Sequence, residues 1–167
     1  GKSTLARALV GVFDARHGAV RLDGATLNQW SPENLGPHIG YLPQDVEIFD
    51  GTVAENIARL AERPDSGAVI AAARAAGCHD MIVALPQGYD TRVGPAGAML
   101  SAGQRQRLAL ARALYGNPFL VVLDEPNANL DAAGEAALGE AIVGIRQRGA
   151  IVIVIAHRPS AIANLDK

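Results

Sequence analysis

Phe119-Leu120-Val121-Val122-Leu123-Asp124-Glu125-Pro126 is an unbroken apolar run that stops at two carboxylates and a proline. An apolar run without polar alternation is the pattern of a strand buried on both faces, as in a parallel sheet between helices. Proline cannot extend the ladder, so the strand ends with Asp124 and Glu125 at its C-terminal edge. Ligands in such sheets bind at that edge. There Asp124 can hold Mg²⁺ through water, and Glu125 can polarise an attacking water. A general base of this kind typically contributes ~10²–10⁴-fold. On this stretch alone, surface acids on an ordinary strand-end turn are an equal alternative.

Upstream lies Leu100-Ser101-Ala102-Gly103-Gln104-Arg105-Gln106-Arg107. Ser101 followed by Gln104 is a capping box, and an apolar helix follows from Leu108 to Tyr115. The N-terminal amides of that helix, beside the small Ala102-Gly103 pair, favour an anion. By itself the pattern fits an ordinary capped helix. Gly1-Lys2-Ser3-Thr4 is the tail of the phosphate-loop pattern G-x-x-x-x-G-K-[ST]. In that loop Lys2 reaches the β and γ oxygens and the Ser3 hydroxyl ligates Mg²⁺. Four residues alone also suit a solvated first helical turn. Together with Asp124-Glu125 they supply both halves of a Mg²⁺-nucleotide site. The spacing predicts a helix from Leu5 to Phe13 with Leu5, Leu9 and Val12 facing the core.

Between these ends, residues 19–22 read as a short strand ending at the turn Asp23-Gly24. Ile39 to Leu42 reads as another, stopped by Pro43, which delivers Gln44 to a strand end. Ile48 and Phe49 look like exposed apolar residues in a polar loop. Thr52 and Glu55 form a second capping box, opening a helix expected to reach Leu60. Residues 65–84 are alanine-rich and helical, broken at Gly77, and residues 85–97 read as a loop. Residues 45–117 therefore suggest an all-helical insertion between strands. Downstream, Asn127 to Asp131 is a loop. A helix over 132–148 buries Leu138, Ala141, Ile142 and Ile145 and ends at Gly149. A buried strand over 150–156 delivers His157 to its end.

At 167 residues, 49% of them hydrophobic, the chain can bury one real core. A net charge of −2 argues against a basic nucleic-acid surface, and 4% aromatic content against base-stacking platforms. The single cysteine, Cys78, excludes an internal disulfide and lacks zinc-site spacing; it is expected to pack in a helix. No apolar run approaches the ~20 residues that span a bilayer. Because Gly1 falls within a phosphate loop, the chain is expected to be a fragment.

Taken together, the motifs resemble the ATP-binding domain of ATP-binding-cassette transporters. Gly1-Lys2-Ser3-Thr4 resembles the end of Walker A and Gln44 the Q-loop glutamine. Leu100 to Gln104 resembles the family signature, and Asp124-Glu125 resembles Walker B with its catalytic glutamate. Asn129-Leu130-Asp131 resembles the D-loop, and His157 the switch histidine. The resemblance implies an α/β P-loop NTPase fold: a RecA-like parallel sheet core over 1–44 and 118–167, with a helical subdomain over 45–117. It implies ATP and Mg²⁺ as ligands. Glu125, His157 and Gln44 take the catalytic roles, and Ser3, Gln44 and Asp124 face the metal. Gly1, Lys2, Ser3, Thr4, Ser101, Gly103, Gln104 and Asp131 contact ATP. It also implies a head-to-tail pair of domains in which Ser101 and Gly103 of one copy close on the γ-phosphate held by the other.

A finer resemblance, over Tyr41 to Ile57, Asp124 to Asp131 and Ile155 to Ser160, is to type I secretion ATPases of the protease-exporting group. It implies a transmembrane domain on the same full-length chain, with Ile48 and Phe49 near its coupling helices. It further implies a periplasmic adaptor, an outer-membrane channel, and a place on the cytoplasmic face of the inner membrane. Nucleic acid is not an expected partner. A cassette ATPase acting on DNA or ribosomes, or an exporter of lipids or small molecules, is the alternative. Two departures stand out: Ala102 replaces the second glycine of the signature, and Pro95 stands where many exporters carry glutamate.

Overall fold

A computed structural model describes residues 1–13, 15, 17–95 and 99–156. The chain opens with helix α1 (Lys2–Leu9) and a small hairpin, β1 (Arg21–Leu22) and β2 (Ala25–Thr26). The hairpin turns on Asp23 and Gly24, with φ of 49° and 83°, as a tight right-twisting hairpin requires. A one-turn helix α2 (Pro32–Leu35) is capped by Ser31 and leads into strand β3 (Ile39–Leu42). Strand β4 (Gly51–Thr52) and helix α3 (Val53–Ile57) follow, then α4 (Ser66–Ala75), α5 (His79–Val83) and strand β5 (Arg92–Val93). The long helix α6 (Ala102–Leu114), strand β6 (Leu120–Asp124), helix α7 (Ala132–Gln147) and strand β7 (Ile151–Ile155) complete the described chain.

The sheet that matters for function is parallel, in the order β3-β6-β7. Leu42 pairs with Leu123, and Asp124 with Ile155, so all three strands point their C-terminal ends the same way. β6 lies in the middle and every one of its residues is buried. Its side chains alternate between two cores. Leu120 and Val122 join Ile39, Ile155 and Ala6 of α1 on one face. Val121 and Leu123 join α6, α4 and α7 on the other. Period-two alternation carries Asp124 onto the same face as Val122, the face that α1 covers. Close packing holds α6 against the sheet: a Cβ on Gly40 would lie 2.1 Å from the Ala113 carbonyl oxygen. Only glycine fits there.

Several expectations hold. The continuous apolar run is a central parallel strand, and α7 buries Leu138, Ala141, Ile142 and Ile145. Gly77, at φ 62°, separates α4 from α5. Cys78 is fully buried as expected, and burial pushes its thiol up to about 12, so it packs as a small apolar group; it does so as the N-cap of α5 rather than inside a helix.

Five expectations are corrected. α1 stops at Leu9 rather than Phe13, because the chain turns at Gly11 with φ 78°. Its buried position is Ala6, while Leu5 and Val12 are 59% and 60% exposed. Ile48 is buried, and only Phe49 of that pair reaches the surface. The helix opened by Thr52 ends at Ile57, because Arg59 and Leu60 both adopt positive φ. The stretch from 45 to 117 is mostly helical but not wholly so: β4 and β5 pair antiparallel, Gly51 with Val93 and Thr52 with Arg92.

Candidate nucleotide site

The parallel register sets the geometry of the site. Gln44 lies two residues beyond β3, and Asp124 and Glu125 lie at the end of β6, past the same sheet edge. Gln44 is exposed. His157, expected from the sequence at a strand end, lies outside the described residues. On the face that carries Asp124, α1 begins with Lys2 and Ser3. Lys2 and Thr4 are exposed and Ser3 is half-buried. The Gly1 carbonyl accepts from Leu5 N–H at 3.2 Å, so Gly1 is the N-cap of a true α-helical first turn. Such a turn points its free amides outward, towards an anion.

Asp124 is the most informative group. It is 1% exposed, yet among the described residues neither carboxylate oxygen has a hydrogen-bond partner. A buried carboxylate without partners is expensive, so a cation or its water shell fits there. Among the described residues no group of three or more His, Cys, Asp or Glu side chains could hold a metal. The donor present, one buried strand-end carboxylate, fits Mg²⁺, which takes one or two protein oxygens and completes its shell with water and phosphate. Zinc and calcium demand more from the protein.

Glu125 has φ 50°, a left-handed conformation that costs a non-glycine residue free energy. Its N–H donates to the Ile155 carbonyl at 2.7 Å, which pins the turn to β7. The following Pro126 and Asn127 are buried. The chain therefore leaves β6 along one fixed path, and the strained residue is the one whose side chain was read as chemical.

Ser101 caps α6 as expected. Its hydroxyl accepts from Gln104 N–H at 3.2 Å, and its own N–H donates to Gln104 Oε1 at 2.8 Å. The cap is at the surface. The Arg105 guanidinium donates to the Leu100 carbonyl at 3.0 Å, so a cation sits in the first turn of α6. Gly103 packs on the turn after β6, where a Cβ would lie 3.0 Å from the Asn129 carbonyl oxygen. Asp131, read as a nucleotide contact, is exposed and caps α7 through Oδ1, which accepts from Gly134 N–H at 2.8 Å. Ala102 is the first residue of α6, in helical conformation, so its methyl group costs no backbone strain.

Sequence reasoning missed two side chains on α6. Gln106 is 1% exposed and donates to the Pro126 carbonyl at 3.1 Å, with a longer contact of 3.5 Å to the Glu125 carbonyl. Arg112 donates to the Asn56 carbonyl at 3.0 Å, Asn56 Oδ1 at 2.8 Å and the Glu47 carbonyl at 2.9 Å, and lies over the Phe49 ring. Burial lowers the Arg112 pKa to about 10. The available signal was position: Gln106 falls on the stripe shared by Leu110 and Ala113, where a surface residue does not belong.

A parallel sheet between helices, with a strand-end carboxylate that has no partner among the described residues, is consistent with the class of P-loop nucleotide-binding α/β folds. The sequence pattern of the ABC transporter family matches residues 1–128, and the chain belongs to that family. It is 65% identical, over 99% of its length, to the type I secretion system ATP-binding protein PrsD of Rhizobium meliloti (strain 1021). It is 41% identical, also over 99%, to the ATP-dependent lipid A-core flippase of Saccharophagus degradans. The chain spans 28% of the length of each of these relatives. Among solved structures it resembles a bacterial Atm1-family ABC exporter with ATP bound. The TM-score is 0.86 and the identity 37%, over 98% of this chain and 29% of that one.

Proposed function

We propose that this chain is the ATP-binding and hydrolysing part of a membrane exporter, most closely of a type I protein secretion ATPase. The observation that carries the chemistry is Asp124, a buried carboxylate at a parallel-strand end whose oxygens have no partner among the described residues. The likeness to a type I secretion ATP-binding protein, at 65% identity, supports protein secretion over the lipid-exporter alternative, whose flippase relatives are 41–44% identical. Among the described residues no helix is long and apolar enough to cross a membrane, so the spans belong elsewhere in the full-length protein.

Lys2 and the amides of α1 hold the β and γ oxygens, with Ser3 and Asp124 beside them. Ser3, Gln44 and Asp124 would hold Mg²⁺, which would supply neutralising charge for the transferring phosphoryl group. Glu125 orients and polarises the attacking water in line with the γ-phosphate, while Gln44 and His157 complete that side of the site. A second copy, arranged head to tail, contributes Ser101, Gly103 and Gln104, and Asp131 lies along the same seam. Residues 45–117 act as a helical unit that carries Ser101 against the partner's nucleotide. Residues 1–44 and 118–167 hold the chain's own nucleotide. Closure and opening of the pair drive the transmembrane part from the cytoplasmic face of the inner membrane. An adaptor and an outer-membrane channel complete the path for cargo.

The direct test is Glu125→Gln in the full-length protein. Mg²⁺-ATP should still bind, and steady-state hydrolysis should fall by ~10²–10⁴-fold. Undiminished turnover would remove Glu125 from its role.

A further inference from the structure

We infer that Gln106 is a positioning residue for Glu125, which makes α6 a physical link between the chain's two nucleotide-facing ends. This rests on the role proposed above for Glu125.

Gln106 sits inside α6, 1% exposed, five residues after the Ser101 cap. Its side-chain amide donates to the Pro126 carbonyl at 3.1 Å and approaches the Glu125 carbonyl at 3.5 Å. Those carbonyls belong to the turn in which Glu125 is held at φ 50°. A strained residue persists only where its surroundings over-determine it. The Ile155 carbonyl fixes the Glu125 N–H from the β7 side, at 2.7 Å. Gln106 fixes the carbonyl side from α6. Together they grip both flanks of the peptide that bears Glu125.

The wider fit is incomplete in an instructive way. Among the described residues Gln106 Oε1 has no hydrogen-bond partner, and neither does the Nδ2 of Asn127, the next residue after Pro126. Asn127 is 4% exposed. Leucine or methionine would pack a purely structural stripe position without leaving an acceptor unpaired. The polar amide here reaches the turn that bears Glu125. Gly103, one turn earlier, touches the same loop at the Asn129 carbonyl. A movement of α6 that presses Ser101 onto a partner's nucleotide therefore bears on the turn that holds this chain's own Glu125.

The experiment uses the full-length transporter in lipid membranes, with Gln106→Met and Gln106→Glu variants. Gln106→Met keeps the volume and loses the donor. It should lower kcat by about 10–100-fold with KM for ATP held within about twofold, as expected when a reacting group is misplaced while binding is intact. Gln106→Glu adds a diagnostic pH dependence. Its protonated carboxyl keeps one O–H, which can donate to the nearer Pro126 carbonyl, and its carboxylate repels both carbonyls. Its kcat relative to the parent should therefore rise as the pH is lowered. Wild-type kcat in Gln106→Met overturns the inference, as does a Gln106→Glu profile parallel to the parent's. If Gln106→Met does not reach the membrane, the Gln106→Glu profile decides alone. Glu125→Gln is measured beside them. Full activity there defeats the underlying reading, whereas an inactive Glu125→Gln with a fully active Gln106→Met defeats only the positioning role.

Discussion

Helices α3 and α6 begin with the same device and differ in what surrounds it. Each has a hydroxyl N-cap that accepts from the N3 amide, and an N3 side chain that reaches back to the cap's N–H. In α3 the pair is Thr52 and Glu55, half-buried beneath the β4-β5 ladder, and the first helical N–H, of Val53, donates to the Thr91 carbonyl at 3.0 Å. In α6 the pair is Ser101 and Gln104, and the cap residue is exposed. The chemical difference is one of charge. Glu55 brings a carboxylate to the positive end of its helix dipole and satisfies it. Gln104 brings none, the first turn of α6 contains no acid, and Arg105 adds a cation. A helix start that is capped yet left electropositive is incomplete until an anion arrives. The same box is thus a closed structural joint in one place and, in the function proposed above, one half of a binding surface in the other.

That contrast breaks most sharply at Gln104. Gln104→Glu preserves the reciprocal cap and places a negative charge where α6 should meet phosphate. In the full-length dimer, turnover should fall by ~10²–10³-fold while thermal stability is unchanged or raised. Ser101→Ala should show a comparable loss of turnover together with about 1 kcal/mol of lost stability. A Gln104→Glu protein with normal turnover would mean that α6, like α3, is only a capped helix.

The far end of α6 sharpens the comparison, because its polar groups are saturated. Arg59 donates to the carbonyls of Arg112, Ala113 and Tyr115 and to that of Gly36. Arg112 in turn ties Asn56 and Glu47 to the helix. Asn56 completes the network by bonding both the N–H and the carbonyl of Phe49. Arg112→Met should cost about 3 kcal/mol in thermal or denaturant unfolding, since it removes several charge-assisted bonds from a buried cluster. Arg112→Lys should recover only part of that, because an ammonium cannot reproduce the guanidinium fork. A loss below about 0.5 kcal/mol for the methionine variant would contradict the saturation argument.

How legible these features were follows from the range of the interactions that create them. β6 announces itself as an unbroken apolar run and α7 by the helical period of its buried positions, and Thr52 and Ser101 do so because each capping box pairs residues only three apart. The face of α1 was misread. Leu5 and Val12 match a helical stripe, but the sheet face that α1 meets accepts Ala6, and Gly11 ends the pattern before it can repeat. Ile48 was misread for a longer-range reason. The loop that holds it is set by Asn56 and Arg112, which lie eight and sixty-four residues further along. Gln106 stands out only as a polar residue on an apolar stripe and Arg112 looks like an ordinary surface cation, and only the fold reveals the carbonyls they serve. Asp124 was legible as a carboxylate at a strand end. That neither of its oxygens has a partner among the described residues was not.

Two smaller effects separate the boxes under acid. Thr52→Ala should cost about 1 kcal/mol at neutral pH, without the turnover loss expected for Ser101→Ala. The Glu55 carboxylate is held below its ordinary value, first by the bond from the Thr52 N–H and then by the Thr52 hydroxyl. A carboxylate with a depressed folded-state pKa stabilises the fold above its unfolded value of 4.5. That stabilisation disappears as the pH falls from there through the folded value. Glu55→Gln, which keeps an acceptor but cannot titrate, should therefore be less stable than the parent at neutral pH and converge with it in acid. Gln104 has no such titration, so the α6 box should hold its strength over the same range. Gln104→Glu should transplant the acid sensitivity from one helix to the other. Equal acid dependence in the parent and in Glu55→Gln would show that the charge on Glu55 is not what closes α3, and the contrast with α6 would then have to rest on burial alone.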